Sequence, residues 1–363
     1  MPVAKNSADY QIQLDGIRFI AIFTVMIAHW LQWQWTAPLL TKIQFVHGVT
    51  LFFVLSGFLI TRILLENRTK YDHAEKGKML LIKQFYIRRF LRIFPIYYLT
   101  IFFLLAIGYP GANEYFPWLI SYTSNIYQSI TNQYIGSFNH FWSLAVEEQF
   151  YLFWPWLMLF VPRRVIPHVI VATILLSVAS RVYLYYAFPD YWMAGSYLIV
   201  STMYALGLGA LLAWLHTETK PVVQVVQRGW LVYGSVVVYF LMMYFFIDLH
   251  WYKVLIDELL FVVMSALVIN YAVAGRFSLV SAWFLQHPWV VYFGKVSYGM
   301  YVYHLFIPDL YYYLAPRIGL AVSNKYTLFV AFFALTFLLS HLSWRIIEAP
   351  VNDLKKYFPY FKK

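Results

Sequence analysis

The chain has 363 residues, of which 62% are hydrophobic and 12% are charged. Soluble domains carry roughly twice that charged fraction, so the composition excludes a soluble enzyme and indicates an integral membrane protein. The 27 Lys and Arg outnumber the 16 Asp and Glu, which gives a formal net charge of +11. Because the sequence contains no cysteine, thiol catalysis, disulfides and cysteine-ligated metals are excluded as well.

Ten apolar segments approach or exceed the length of about 20 residues that a membrane span needs. They predict an all-α, polytopic membrane helical bundle with about ten transmembrane helices in a single domain, residues 1–363. The polar N-terminus lacks the features of a cleavable signal peptide, so we expect the first span to act as an uncleaved insertion signal. The spans are predicted at residues 16–35, 47–66, 91–109, 141–161, 167–187, 196–215, 229–248, 255–274, 289–311 and 325–346.

The basic residues predict the orientation of the bundle. Positively charged loops usually stay in the cytoplasm, and a cytoplasmic N-terminus places most of the 27 Lys and Arg on that side. The N-terminus (1–15) and the C-terminal tail (349–363) are then both cytoplasmic. The outer segment 110–140 has no Lys or Arg and is rich in aromatic, amide and hydroxyl groups, which suits a neutral polyhydroxylated ligand or a re-entrant loop. The exceptions to inner placement are Lys42, Arg181, Lys253, Arg317 and Lys325.

Arg18 and His29 lie eleven residues apart in the first span. A cation and an imidazole are costly in hydrocarbon, so such residues usually face a protein interior and mark a functional site. Eleven residues make about three helical turns, which places both side chains on one face about 16 Å apart along the axis. His29 suits a general base near neutral pH, and no second ligand at metal-binding spacing accompanies it. Alternatively, Arg18 reaches the inner interface and His29 caps a carbonyl.

Three arginines, Arg88, Arg89 and Arg92, occupy about one helical turn just before the third span. Guanidinium groups pair bidentately with phosphate, so this cluster predicts a clamp for an anionic cofactor. The alternative is topological, because anionic lipid satisfies arginines at an inner helix end.

Two later spans carry further polar residues. Ser143 and Glu147 are four residues apart and share a helix face. Glu147 is expected about 9 Å below the outer surface and His29 about 14 Å below it, and these depths, which agree within roughly one helical turn, permit contact between the two. Glu147 is therefore a catalytic candidate or a structural carboxylate, since an acid at this depth needs a partner. Tyr301 and His304 are three residues apart and line one cavity wall or serve as polar packing groups.

These motifs resemble those of acyltransferase family 3, whose members are integral-membrane O-acyltransferases. Arg18 and His29 match its Arg/Lys-x10-His signature. Four further segments follow in the family's order: FFVLSGFLI, RRFLRIFP, HFWSLAVEEQFYLFWP and SYGMYVYHLF. The resemblance extends from about residue 10 to about residue 350. Because the chain ends soon after its last span, it is similar to the stand-alone form without an appended esterase-like domain.

The resemblance implies a multi-pass protein of the bacterial inner membrane. Its donor would be an acyl-CoA, by default acetyl-CoA, and its acceptor a hydroxyl of a surface glycan or a lipid-linked precursor. His29 matches the family's proposed catalytic base, and Arg18 matches its invariant cation. Arg18 is too far from His29 to pair with it, so we assign it to the donor. The other expected site residues are Arg88, Arg89 and Arg92 for the donor, and Ser143, Tyr301 and His304 for the acceptor.

The expected mechanism is direct transfer. His29 removes the proton of the acceptor hydroxyl, Glu147 orients the resulting imidazolium, and the oxygen attacks the thioester. A covalent acyl-His29 intermediate stays open. Membrane lipid is an expected partner, a homodimer or a glycan-assembly partner is left open, and no nucleic acid or metal is expected. The alternatives are acylation of a small molecule such as a macrolide, a secondary transporter, and a binding protein of a glycan-export complex.

Overall fold

The structure is a computed structural model that describes residues 11–31, 45–69, 75–319 and 324–360. Throughout these ranges the chain forms helices joined by short turns, without a β-strand, so the predicted all-α polytopic bundle is confirmed. The helices are α1 (Ile12–Trp30), α2 (Gly48–Arg68), α3 (Glu75–Ala106), α4 (Ala112–Ile120), α5 (Ser124–Thr131), α6 (Phe141–Phe160), α7 (Ile166–Ala187), α8 (Trp192–Tyr197), α9 (Ile199–Thr217), α10 (Val222–Val225), α11 (Gly229–Phe246), α12 (Asp257–Val273), α13 (Leu279–Gln286), α14 (Pro288–Tyr303), α15 (Phe306–Leu314), α16 (Lys325–Ser343) and α17 (Ala349–Asp353).

Eight helical segments of the described chain are long and apolar enough to cross a membrane. The predicted fourth and ninth spans coincide with α6 and α14, which are not among the eight. α14 is short, with 16 residues, and the acidic pair Glu147 and Glu148 lowers the hydropathy of α6. Residues 32–35 of the predicted first span lie outside the described residues. The eight segments are Ile12–Trp30, Gly48–Arg68, Gly77–Ala106, Ile166–Ala187, Pro189–Thr217, Gly229–Phe246, Tyr252–Val273 and Lys325–Tyr357.

Helix α3 begins at Glu75, well before the predicted start of the third span. Long charged side chains are good helix formers, so the basic run extends the helix beyond its apolar part. Pro95 lies inside α3 without ending it. Arg88, Arg89 and Arg92 therefore stand on one continuous helix, where each residue points about 100° away from the one before it.

Glycines allow the central helices to pack with their backbones in close contact. A Cβ atom on Gly57 of α2 would lie 1.9 Å from the carbonyl oxygen of Leu206 in α9, and one on Gly209 would lie 2.0 Å from that of Val54. Gly294 brings α14 equally close to α1, because its Cβ would lie 1.9 Å from the Asp15 carbonyl oxygen. The packing role predicted for the FFVLSGFLI segment is confirmed at Gly57. The α1–α14 crossing holds the helix of His29 against the helix of His304.

Helices α7 and α11 lie at the edge of the bundle and expose large apolar side chains. Leu175 and Leu176 of α7 are 64% and 67% exposed, and Phe245 of α11 is 65% exposed. Apolar surface of this extent indicates contact with lipid. The site residues predicted from the sequence lie on α1, α3 and α6 and on or directly after α14.

We expect the substitution Gly209→Ala to destabilise the protein by about 1–3 kcal/mol, because the new methyl group collides with the backbone of α2. Thermal unfolding of the purified protein in detergent measures the effect. Gly234→Ala is the matched control. A Cβ there meets no atom within 4 Å, and alanine favours the helix. Equal melting temperatures for the two variants would contradict the proposed close packing.

Candidate active site

A pocket with about 890 Å³ of empty space, part of it open to the surroundings, lies among α1, α2, α3, α6 and α14, and we call it the inner cavity. Arg18, Arg89 and Arg92 stand at its end on the predicted cytoplasmic half of the bundle, and apolar side chains of α2 form much of its wall. The Ser143 and Tyr301 side chains lie toward its other end, near the outer termini of α6 and α14. Its remaining polar lining residues are Ser56, Glu147, Glu148, Tyr151, Ser297 and Tyr298.

Two arginines of the inner cavity, Arg89 and Arg92, lie beside aromatic rings, whereas Arg18 forms an ion pair with Asp15. The Arg89 guanidinium carbon lies 5.6 Å from the centre of the Phe85 ring and 5.4 Å from that of Tyr151. The Arg92 guanidinium carbon lies 6.0 Å from the centre of the Trp344 ring. Trp344 belongs to the π-helical turn that follows α16. A guanidinium that stacks on a ring keeps its N–H edges available, so this arrangement can bind an anion such as phosphate.

Arg88 is placed differently from its two neighbours on α3. Its Nη1 donates hydrogen bonds to the carbonyl oxygens of Lys355, at 2.9 Å, and Phe358, at 3.1 Å. Its guanidinium carbon lies 4.7 Å from the centre of the Tyr360 ring. Among the described residues, Arg88 is not part of the inner-cavity lining. Its position favours a role in fastening the C-terminal segment over the donor-binding role predicted for it.

The predicted contact between Glu147 and His29 does not occur among the hydrogen bonds of the described residues. Glu147 accepts a hydrogen bond of 2.6 Å from the Ser56 hydroxyl, whereas His29 Nδ1 lies 3.1 Å from His304 Nε2. The depth estimate placed both side chains at similar heights, but depth carries no information on lateral position in the bundle. The partner of His29 is a residue that we had assigned to the acceptor.

His29 lines a second pocket with about 760 Å³ of empty space, part of it open to the surroundings, which we call the outer cavity. The His29 side chain is exposed to this space, whereas His304 behind it is fully buried. Only Gly136 and Ser137 of the outer segment 110–140 reach the cavity. The other lining residues are Trp30, Leu305, Pro308, Asp309, Tyr312, Lys325, Leu328, Phe329 and Phe332.

Asp309 anchors the outer segment beside this cavity. Its carboxylate accepts hydrogen bonds from the hydroxyls of Tyr109 and Ser137, which lie at the two ends of the segment. Asp309 is not among the site residues predicted from the sequence. The one indication of its role in the sequence is its position in SYGMYVYHLFIPD, shortly after His304. The outer segment has no Lys or Arg, and other elements supply its neighbouring cavity with Asp309 and Lys325.

Tyr301 and His304 stand between the two cavities. The Tyr301 hydroxyl donates to the His140 carbonyl oxygen at 2.9 Å and lies 2.6 Å from Ser143 Oγ. Tyr301 lines the inner cavity and His29 lines the outer cavity. Among the described residues, none lines both cavities. The His140 ring packs against His304 with ring centres 4.8 Å apart. His140 was also missed, although it directly precedes the FWSLAVEEQF motif.

The described residues contain no group of three or more His, Cys, Asp or Glu side chains that could hold a metal ion. The polar groups that the fold brings together are instead donors and acceptors of protons and hydrogen bonds.

A family model described as an acyltransferase domain matches residues 11–345, a range that holds every candidate site residue named above. The chain belongs to acyltransferase family 3. It is 30% identical to the peptidoglycan O-acetyltransferase OatA of Listeria monocytogenes, over 99% of this chain and 58% of that protein. It is 28% identical to the O-acetyltransferase OatA of Staphylococcus aureus, over 98% of this chain and 59% of that protein.

The chain thus spans about three-fifths of the length of these family 3 relatives. No solved structure matches it. The match covers the helices that build both cavities, so the family assignment concerns the membrane bundle described here.

We expect Arg88→Ala to free the C-terminal segment, because two hydrogen bonds from a charged group, each contributing roughly 1.5–3 kcal/mol, are lost. Limited trypsin digestion of the purified protein should then cleave faster after Lys355 and Lys356. Arg92→Ala is the control, since Arg92 makes neither bond. Unchanged cleavage in Arg88→Ala would show that the segment is held by other contacts.

Proposed function

We propose that this chain is a membrane O-acyltransferase that moves an acyl group, by default acetyl, from acyl-CoA to a hydroxyl of a bacterial surface glycan or its lipid-linked precursor. One observation carries the proposal: an arginine-lined cavity and a histidine-bearing cavity lie at opposite ends of the same helix, α1. A donor with phosphates suits the first, and a hydroxyl that must lose a proton suits the second.

The donor is assigned to the inner cavity. Arg18, Arg89 and Arg92 would bind the phosphates of acyl-CoA, and the apolar wall formed by residues such as Phe52 and Leu59 would surround the pantetheine arm. Arg88 is left out of this assignment because it bonds the C-terminal segment. The positive-inside distribution of Lys and Arg supports a cytoplasmic donor, with both termini on that side of the inner membrane.

The acceptor is assigned to the outer cavity. Its lining combines the aromatic rings of Trp30, Tyr312 and Phe329 with polar groups of Ser137 and Asp309. Aromatic surface with a few oriented polar groups is typical of sites that select small polar molecules. The names of the two relatives, a peptidoglycan O-acetyltransferase and an O-acetyltransferase, support a glycan and an acetyl group. Acylation of a small molecule such as a macrolide is the second candidate within this enzyme class.

His29 would act as the general base. It takes the proton of the acceptor hydroxyl, the oxygen forms a bond with the thioester carbonyl carbon, and the carbon–sulfur bond breaks. The proton then passes from His29 to the departing CoA thiolate. Glu147 bonds Ser56 in the wall of the inner cavity, so we place it beside the donor and no longer assign it the orientation of His29.

A covalent acyl-His29 intermediate is the alternative to direct transfer. In this route the acyl group would pass Tyr301 and His304, which lie between the cavities, and reach His29 before the acceptor does. The overall reaction is the same as in direct transfer, since the acyl group moves from the CoA sulfur to a His29 nitrogen and then from that nitrogen to the acceptor oxygen. Ping-pong kinetics would identify this route.

We expect His29→Ala to lower glycan O-acetylation by about 100-fold or more, because a general base contributes roughly 100- to 10,000-fold to the rate. The measurement is the O-acetyl signal of the surface glycan by NMR, in a deletion strain complemented at matched membrane levels. His168→Ala, at an exposed histidine on α7, is the control and should restore full acetylation. Full acetylation by His29→Ala would eliminate the mechanism and favour a binding or assembly role.

We expect Arg92→Gln to raise the KM for acetyl-CoA roughly 10-fold or more, because a charged hydrogen-bond donor to phosphate is lost. Initial rates of CoA release by the purified protein, at varied acetyl-CoA, measure it. Arg164→Gln, on the same predicted side but outside the inner-cavity lining, is the control. An unchanged KM in Arg92→Gln would remove that arginine from the donor site, and absence of CoA release by wild type would favour a transporter.

A further inference from the structure

We propose that His304 is the positioning residue of the active site: it fixes the tautomer of His29 so that Nε2 carries the free lone pair. The inference rests on the proposed function, in which His29 is the base. It replaces two sequence-based assignments, the orientation of His29 by Glu147 and the acceptor contact of His304.

The direction of the hydrogen bonds follows from a single backbone carbonyl. His304 Nδ1 lies 2.7 Å from the carbonyl oxygen of Tyr301, and a carbonyl oxygen can only accept. Nδ1 of His304 therefore carries the hydrogen, and Nε2 of the neutral ring is an acceptor. Because His304 Nε2 lies 3.1 Å from His29 Nδ1, His29 must donate from Nδ1. The base nitrogen of neutral His29 is then Nε2.

The end of helix α14 explains why this carbonyl is available. α14 ends at Tyr303, and carbonyls in the last turn of a helix lack a partner within the helix. His304 follows directly and supplies a side-chain donor to Tyr301 three residues earlier. The same turn that ends the helix therefore sets the tautomer of His304, and the tautomer of His304 sets that of His29.

Packing holds the His304 ring in this orientation. The side chain is fully buried, with the Tyr301, His140 and Trp30 rings centred 5.4 Å, 4.8 Å and 6.3 Å from its own. His29, by contrast, is exposed to the outer cavity, and its Nδ1 lies against this fixed ring.

The arrangement also suits the protonated state of the base. When His29 gains a proton at Nε2, its Nδ1–H continues to donate to His304, so the hydrogen bond is kept and strengthened by the charge. A buried aspartate has this role in serine hydrolases, where it holds the correct tautomer of the catalytic histidine. Here a neutral imidazole acts as the acceptor, which avoids a buried carboxylate beside the outer cavity.

The test compares three substitutions in the full-length protein. His304→Gln places an amide oxygen near the position of Nε2 and keeps an acceptor for His29. His304→Asn keeps an amide near the Tyr301 carbonyl but is too short to reach His29. His304→Leu removes both interactions. Membranes from the complemented deletion strain receive radiolabelled acetyl-CoA, and acetyl transfer to their endogenous glycan is followed as initial rates across pH.

We expect His304→Asn and His304→Leu to lower kcat about 10- to 100-fold, as loss of an orienting partner does, with the KM for acetyl-CoA unchanged. Their rate profiles should shift at the acidic limb to lower pH, because protonated His29 loses its acceptor. His304→Gln should retain most of the wild-type kcat. Blue-native mobility and membrane level, equal to those of wild type, establish that each variant is folded.

Three results would overturn the inference. Wild-type kcat in His304→Asn would show that His29 needs no partner. Equal loss in His304→Gln and His304→Leu would show that the acceptor position does not matter. A reduced rate with an unshifted pH profile would assign His304 to packing or to the acceptor. Activity of His29→Ala in the same membranes would instead contradict the proposed function itself.

Discussion

The approach of α1 and α14 is the constraint on which the rest of the site depends. Gly294 lets the two backbones meet, and the hydrogen bond between His29 and His304 lies farther along the same crossing. An imidazole in a membrane bundle is costly without a partner, so a displacement of either helix is opposed by the loss of this hydrogen bond. The small residue and the polar pair therefore act together: one sets the distance between the helices, and the other sets their register.

The same crossing separates the molecule into two chemical environments. On the inner side of it, Arg18, Arg89 and Arg92 line the inner cavity. On the outer side, His29 faces aromatic and hydroxyl groups in the outer cavity. Ser143 and Tyr301 complete the partition with a buried hydrogen bond of 2.6 Å. Because their hydroxyls satisfy one another and the His140 carbonyl, the partition needs no charged residue to stay closed.

The helices, and the polar residues that belong to the candidate site, could be predicted from the sequence, because hydropathy and the presence of polar residues within a membrane span are local properties. Lateral contacts were not accessible in the same way. His29 and His304 are 275 residues apart, and Ser56 and Glu147 are 91 apart, so their pairing depends on how the bundle closes. The expected contact between Glu147 and His29 failed for this reason, since helix depth restricts one coordinate and leaves the angle around the bundle free.

Arg88 shows the same limit within a single turn. Arg88, Arg89 and Arg92 are alike in type, but neighbouring residues on a helix point about 100° apart. Two of them face the inner cavity, while Arg88 faces the carbonyls of Lys355 and Phe358. A motif of three arginines therefore combines two physical roles. Arg89 and Arg92 present charge to the inner cavity. Arg88 holds the C-terminal segment against α3, and the segment in turn restricts the position of α3, which carries the two cavity arginines.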